Sequence, residues 1–172
     1  MNQNAGTPTD NSCLIHTTNI TQDEMYLRIH PVDNTRSRRQ FPIGDNVGLT
    51  RTGVQYCRLP PETTSTAIHW HTHEDEWAYI IEAGDDSFVL LQDEGTTEVK
   101  SMPLVTGDFL GFPAGKRIGH GFRTGASPLV YLFGGSREPL DITHYVESGH
   151  RRVNDRSGHD WFVRKEHIVK EI

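Results

Sequence analysis

Cysteine is almost missing from this chain. Cys13 and Cys57 are the only two in 172 residues, and no Cys-x-x-Cys pair occurs, which excludes a disulfide framework. Positive charge is also scarce: 17 Lys and Arg against 23 Asp and Glu leave a net charge of −6, which argues against a nucleic-acid partner. No apolar run is long enough to span a bilayer. Met1 to Pro8 has neither a charged n-region nor an apolar h-region, so a soluble cytoplasmic protein without a secretory signal or membrane contact is expected. In that setting the sequon Asn19-Ile20-Thr21 is accidental. Helix-period runs are scarce too. With 16 Gly and 9 Pro, the chain points to one all-β domain with many turns.

What is present is a series of short strand signals. Residues 1–13 are polar and are expected to form a flexible arm. Glu24 to His30 alternates as a strand, and Pro31 to about Asn46 is expected to be a polar connector. Its basic cluster Arg36-Ser37-Arg38-Arg39 reads as a solvated loop in preference to a phosphate contact or a localisation patch. Strands are expected at Gly53–Leu59, which Pro60-Pro61 stops, and at Thr66–His73, Trp77–Glu82 and Ser87–Leu91. Asp93-Glu94-Gly95 is expected to turn the chain back through Met102. Thr106–Gly115 holds a further short strand, and Leu129–Phe133 a buried one that Gly134-Gly135 closes. Strand signals at intervals of about ten residues suggest a sandwich or barrel. After Ser136 the chain is charged with scattered apolar residues, which could pack as short helices or an edge strand on the barrel, or across a dimer interface.

The chemistry concentrates in His69-Trp70-His71-Thr72-His73-Glu74-Asp75-Glu76. In an extended strand His69, His71 and His73 face one way and Trp70 and Thr72 the other. Imidazole together with carboxylate suits a divalent transition metal.

These residues resemble a cupin, a double-stranded β-helix (jelly-roll) barrel. The family's first motif runs His-x-His, three or four residues, Glu, six residues, Gly. Here His69-x-His71 is followed after four residues by Glu76, and after seven more by Gly84. The Gly that normally leads the motif is absent, and Pro60-Pro61-Glu62-Thr63 stands in that region. In the second motif Gly107 and Pro113-x-Gly115 fit without adjustment, while His120 comes two residues late and Thr124 holds the usual Asn position. The stretch His69-Trp70-His71 with Glu76-Trp77-Ala78-Tyr79 resembles oxalate decarboxylase-type cupins. Gly119-His120, Tyr131 to Arg137, Asp141 and Tyr145 resemble a group of small single-domain microbial members. The resemblance implies a barrel over 14–136, with its motif core at 53–135, and a C-terminal extension over 137–172 that packs on the barrel or on a partner.

It also implies that His69, His71, Glu76 and His120 ligate a divalent metal, Fe2+ or Mn2+ ahead of Zn2+, Ni2+ or Co2+. A shifted set of His71, His73, Glu76 and His120 has the same strand parity but a tighter spacing. Three imidazoles and a carboxylate leave two octahedral positions open, unlike a closed structural zinc site. His73 and Tyr131 are the catalytic candidates. Phe112, Tyr131 and Phe133 are candidates to line the pocket, Trp70, Trp77 and Tyr79 are expected in the core or an interface, and Glu74 and Asp75 in a solvated turn. Lys116 and Arg123 are expected at the surface, and Asp108 in a turn. The expected function is metal-dependent chemistry on a small organic metabolite by a homodimer. It is either redox chemistry of the dioxygenase type or Lewis-acid chemistry of an isomerase, dehydratase or decarboxylase. The alternative is a non-catalytic small-molecule-binding cupin.

Overall fold

The computed structural model describes residues 13–169; of the expected arm over 1–13, all but Cys13 lies outside them. One sheet holds β1 (Tyr26–Ile29), β2 (Ser37–Phe41), β3 (Thr52–Leu59), β5 (Glu76–Ala83), β8 (Phe109–Phe112) and β10 (Leu129–Ser136), in the order β1-β2-β3-β10-β5-β8. The other holds β4 (His69–His71), β6 (Phe88–Asp93), β7 (Lys100–Pro103), β9 (Ile118–Arg123), β11 (Asp141–Tyr145), β12 (Arg151–Asn154) and β13 (Asp160–Val163), in the order β13-β12-β11-β4-β9-β6-β7. From β3 to β10 successive strands alternate between the sheets, except that β6 and β7 are neighbours in one sheet, and every pairing is antiparallel. No described helix is long and apolar enough to cross a membrane.

Strand alternation sends Cys57, Leu59, Ala78, Ile80, Val89, Phe122, Leu129 and Tyr131 into one core between the sheets. Leu59, Ile80 and Leu129 are fully buried, each worth about 1.5–3 kcal/mol of apolar transfer. Phe122 and Tyr131 of this core also line the polar pocket described below.

Three stretches differ from the sequence expectation. Residues 31–46 are more than a connector: they form β2 and the short helix α1 (Ile43–Asn46), and β2 pairs with both β1 and β3. Ser37-Arg38-Arg39-Gln40 has no alternation of apolar and polar residues, so its strand character comes from pairing alone. Gly134 and Gly135 do not close β10, which runs on to Ser136. A Cβ on Gly134 would fall 2.4 Å from the Trp77 ring, and one on Gly135 would fall 2.7 Å from the Asp75 carbonyl and 3.1 Å from Glu76 Cγ. These glycines let β10 approach the strand that carries Glu76, and end nothing. The segment after Ser136 supplies the expected edge strand as β13, but with it two further strands that lie inside the sheet. β11 lies inside the second sheet, hydrogen-bonded to β4, with β12 and β13 continuing outward.

Candidate metal centre

β4 is only three residues long, but its position fixes the site. It lies between β11 and β9, with His69 directly opposite both Tyr145 and His120, and His71 opposite Thr143, which in turn faces Arg152 on β12. Directly opposed residues share a sheet face. One inward row therefore holds Tyr145, His69 and His120, and the next holds Arg152, Thr143 and His71. Glu76 arrives from the other sheet at the start of β5. The loop between β8 and β9 is docked by Gly115, whose N–H donates to the His71 carbonyl (2.8 Å) from a left-handed conformation (φ 71°) that suits glycine.

The four side chains meet at one carboxylate oxygen. Glu76 Oε2 lies 3.1 Å from His71 Nε2, 3.1 Å from His120 Nε2 and 3.8 Å from His69 Nε2. Each ring is held from behind. His69 Nδ1 lies 2.8 Å from the Ala67 carbonyl, which can only accept, so the proton sits on Nδ1 and Nε2 presents its lone pair. His71 Nδ1 donates to Asp141 Oδ2 at 2.6 Å. His120, 1% exposed, stacks flat on Phe112, with centroids 3.7 Å apart and planes 6° from parallel.

The buried polar atoms fit a cation. His71 Nε2, Glu76 Oε2 and His120 Nε2 are enclosed without a well-aligned hydrogen bond, which is costly unless something else compensates. His69, His71 and Glu76 each offer a ligand atom within 4.8 Å of the others. Neutral nitrogen with carboxylate oxygen suits Mn2+, Fe2+, Co2+, Ni2+ or Zn2+. These residues could therefore hold a metal ion.

Electrostatics agree with that chemistry. Burial, reinforced by His120, holds His69 well below the usual imidazole range, so it is neutral at pH 7. Burial also opposes charge on His71, but Glu76 on one side and Asp141 on the other overcome it and raise its pKa to about 10. Burial alone would raise Glu76; the histidines around it hold it well below the usual carboxylate range. In the metal-free protein His71 is therefore a cation clamped between two carboxylates. This raised pKa stabilises the metal-free fold fully below the unfolded imidazole value near 6.5, and the contribution fades as pH rises through about 10. A metal must displace the His71 Nε2 proton. Mn2+ affinity is thus expected to rise up to about tenfold per pH unit between pH 7 and 9. Calorimetry at pH 8 in buffers of different ionisation enthalpy is expected to show a released proton, and a pH-independent affinity would contradict the His71 charge.

The cluster opens onto a pocket with a cavity volume of about 100 Å³. Tyr131, Phe133 and His120 line it, as do Arg28 and Arg152, which sequence reasoning did not single out, and Arg38, which lies on β2 and not in the solvated loop expected for its basic cluster. Tyr131 is 1% exposed, and burial, with the Cys57 thiol beside it, keeps its phenol protonated. His73 lies in the turn after β4, and its ring is not part of the pocket lining; its N–H donates to Asp141 Oδ1 (3.0 Å). Glu74 accepts from the Glu138 N–H and from Arg156, and Asp75 accepts from the Ala114 N–H (2.8 Å), so both tie turns together. Asp108 caps its turn through the Val105 N–H (2.9 Å). Arg123 lies over the Phe88 ring, away from this pocket. Trp70 is buried and stacked on His144 (3.8 Å), whereas Tyr79 is 43% exposed.

A donor-lined pocket inside two facing antiparallel sheets defines a double-stranded β-helix with a candidate metal centre. No protein-family model matches the sequence, and a search of curated proteins gives no match. Solved structures do match. The chain is similar to a candidate sugar phosphate isomerase from Acidithiobacillus ferrooxidans, at 24% identity and TM-score 0.80 over 93% of this chain and 97% of that one. It is also similar to a cupin-superfamily sugar phosphate isomerase from Silicibacter pomeroyi, at 30% identity and TM-score 0.69 over 86% of this chain and 93% of that one. The chain belongs to the cupin superfamily.

Proposed function

We propose that this chain is a metal-dependent isomerase of a small phosphorylated sugar, with His69, His71, Glu76 and His120 as the metal ligands. The observation that carries the reading is the meeting of three Nε2 atoms at Glu76 Oε2 on the wall of an open pocket. The likeness to the Silicibacter pomeroyi isomerase favours carbonyl migration over oxygen chemistry, which would use the same four donors. A bound divalent ion would supply Lewis acidity toward a sugar carbonyl or hydroxyl.

The protein's own groups do the rest. Asp141 and the Ala67 carbonyl fix the protons of His71 and His69 on Nδ1, away from the pocket. His30 lines the pocket with Nδ1 accepting the N–H groups of Val32 and Asp33 (both 3.2 Å). Burial, then the nearby Arg36, lowers its pKa to about 4, so the ring is neutral at pH 7 and carries its proton on Nε2. That N–H can donate to a substrate oxygen. Tyr131, kept protonated, can donate but cannot act as base near neutrality.

Protein reconstituted with Mn2+ or Fe2+ and incubated with aldose and ketose phosphates in D2O is expected to interconvert them and wash deuterium into the carbon next to the carbonyl. Proton NMR reads both events, and an oxygen electrode in the same vessel is expected to stay flat. Oxygen uptake matched to substrate loss would replace this reading with a dioxygenase. Binding without any exchange would leave a non-catalytic binder.

A further inference from the structure

Three arginines line the pocket together with the histidines. Arg28 on β1 and Arg38 on β2 are direct cross-strand partners, and Arg152 on β12 reaches the same cavity from the opposite sheet. Like charges placed directly opposite each other weaken a strand pair, so this pairing costs stability unless an anion offsets it. Among the described residues no carboxylate forms an ion pair with Arg28 or Arg38. Arg36, two positions before Arg38, is by contrast held by Asp33 (2.8 Å) and Glu147 (2.6 Å).

Arg38 is positioned by neutral groups. Its Nε donates to Gln40 Oε1 (2.9 Å), Gln40 is braced by Tyr26 and by Gln55 (3.3 Å), and the guanidinium lies 5.7 Å from the centre of the Phe133 ring. These contacts fix the fork without neutralising it. Arg152 pairs with Asp160 (2.9 Å), yet its Nε is enclosed with no hydrogen-bond acceptor. Burial, then Arg38 and Arg152, lowers the pKa of Arg28, as expected for like charges gathered at one place. All this occurs in a chain whose net charge is −6.

We propose that Arg28, Arg38 and Arg152 form the subsite for a phosphomonoester dianion, which sets the substrate with its phosphate at the arginines and its sugar toward His69, His71, Glu76 and His120. The inference rests on reading this pocket as the substrate site. Planar guanidinium forks match phosphate oxygens two at a time, and three forks suit a dianion with three free oxygens better than a single carboxylate. The phosphate would also anchor the substrate away from the centre where bonds change, leaving the carbonyl end free to meet the metal ligands.

The test uses the full chain after chelator treatment, titrated at pH 7.5 with inorganic phosphate and followed by calorimetry and phosphorus NMR. Saturable binding is expected, weakened about tenfold or more by Arg38→Met and by Arg28→Met. Arg39→Met, one position along β2 and outside the pocket lining, is expected to bind as the unaltered protein does. Arg28 lies on the edge strand β1, so its variant is expected to fold even if loss of Arg38 disturbs the barrel. Arg38→Lys, which keeps the charge but loses the fork, is expected to fall between wild type and Met. Undiminished phosphate binding in both Met variants, or acetate binding as tight as phosphate, overturns the subsite. If phosphate binds as expected but no sugar phosphate is turned over, the isomerase reading fails and the subsite stands. If phosphorylated and unphosphorylated sugars isomerise equally well, the subsite fails and the isomerase reading stands.

Discussion

A Glu76→Gln protein is expected to fold and to lose divalent-metal binding by more than about 100-fold, beyond the 10–100-fold typical of groups one step removed from a metal. The reason is geometric. Glu76 Oε2 is the one atom near all three Nε2 groups, at 3.1, 3.1 and 3.8 Å, and Gln keeps its shape while removing the charge. The same change withdraws the largest influence that raises His71, so the pKa of that ring should fall from its value of about 10. Metal content after dialysis and a histidine-selective NMR titration measure the two effects separately. Unaltered metal content would remove Glu76, and with it the proposed centre. A lost metal with His71 still protonated at pH 9 would show that Asp141 alone sustains the charge.

Asp141→Asn is the second large effect. One carboxylate oxygen accepts His71 Nδ1–H at 2.6 Å, while the other accepts the N–H groups of His73 and Glu74 at 3.0 and 3.3 Å. Asn has a single carbonyl oxygen, so it can serve the ring or the turn, and its NH2 faces a donor in either orientation. Metal affinity is expected to fall 10–100-fold, and stability by about 1–3 kcal/mol. Burial would raise the Asp141 carboxyl, but His71 holds it below its usual value. Its contribution is therefore present above the unfolded carboxyl value near 3.9 and lost as pH falls through the folded one. Urea unfolding at pH 7 and pH 3 is expected to show wild type and variant converging at the lower pH. A constant gap would assign the loss to packing.

The meeting of the four candidate donors was legible through the cupin spacing, with which their local geometry agrees. His69 and His71 share a face by strand parity, Glu76 is one turn away, and His120 follows the Pro113–Gly115 turn. The place of the arginines in the pocket was not legible, because it depends on register. Arg38 faces the pocket and Arg39 does not, but in Ser37-Arg38-Arg39-Gln40 no apolar residue marks which side is inward. Arg152 and Asp141 acquire their roles only when β11 inserts beside β4, a pairing that no residue near β4 encodes. Asp141 and Tyr145 stood out only through family resemblance, without a role. The run Gly134-Gly135 looked like punctuation because glycine commonly ends strands. Here it answers the bulk of Trp77 on the neighbouring strand and the close approach of the Asp75 carbonyl just before that strand.

The insertion of β11 beside β4 also sets an order of events in folding. His71 waits for Asp141, 70 residues further along the chain, and β4 has a strand partner on each side only when both late strands have arrived. Such distant pairing makes closure slow compared with hairpin formation. A chain still emerging from the ribosome would present its histidines on an open edge, unable to grip a metal firmly until β11 has been made.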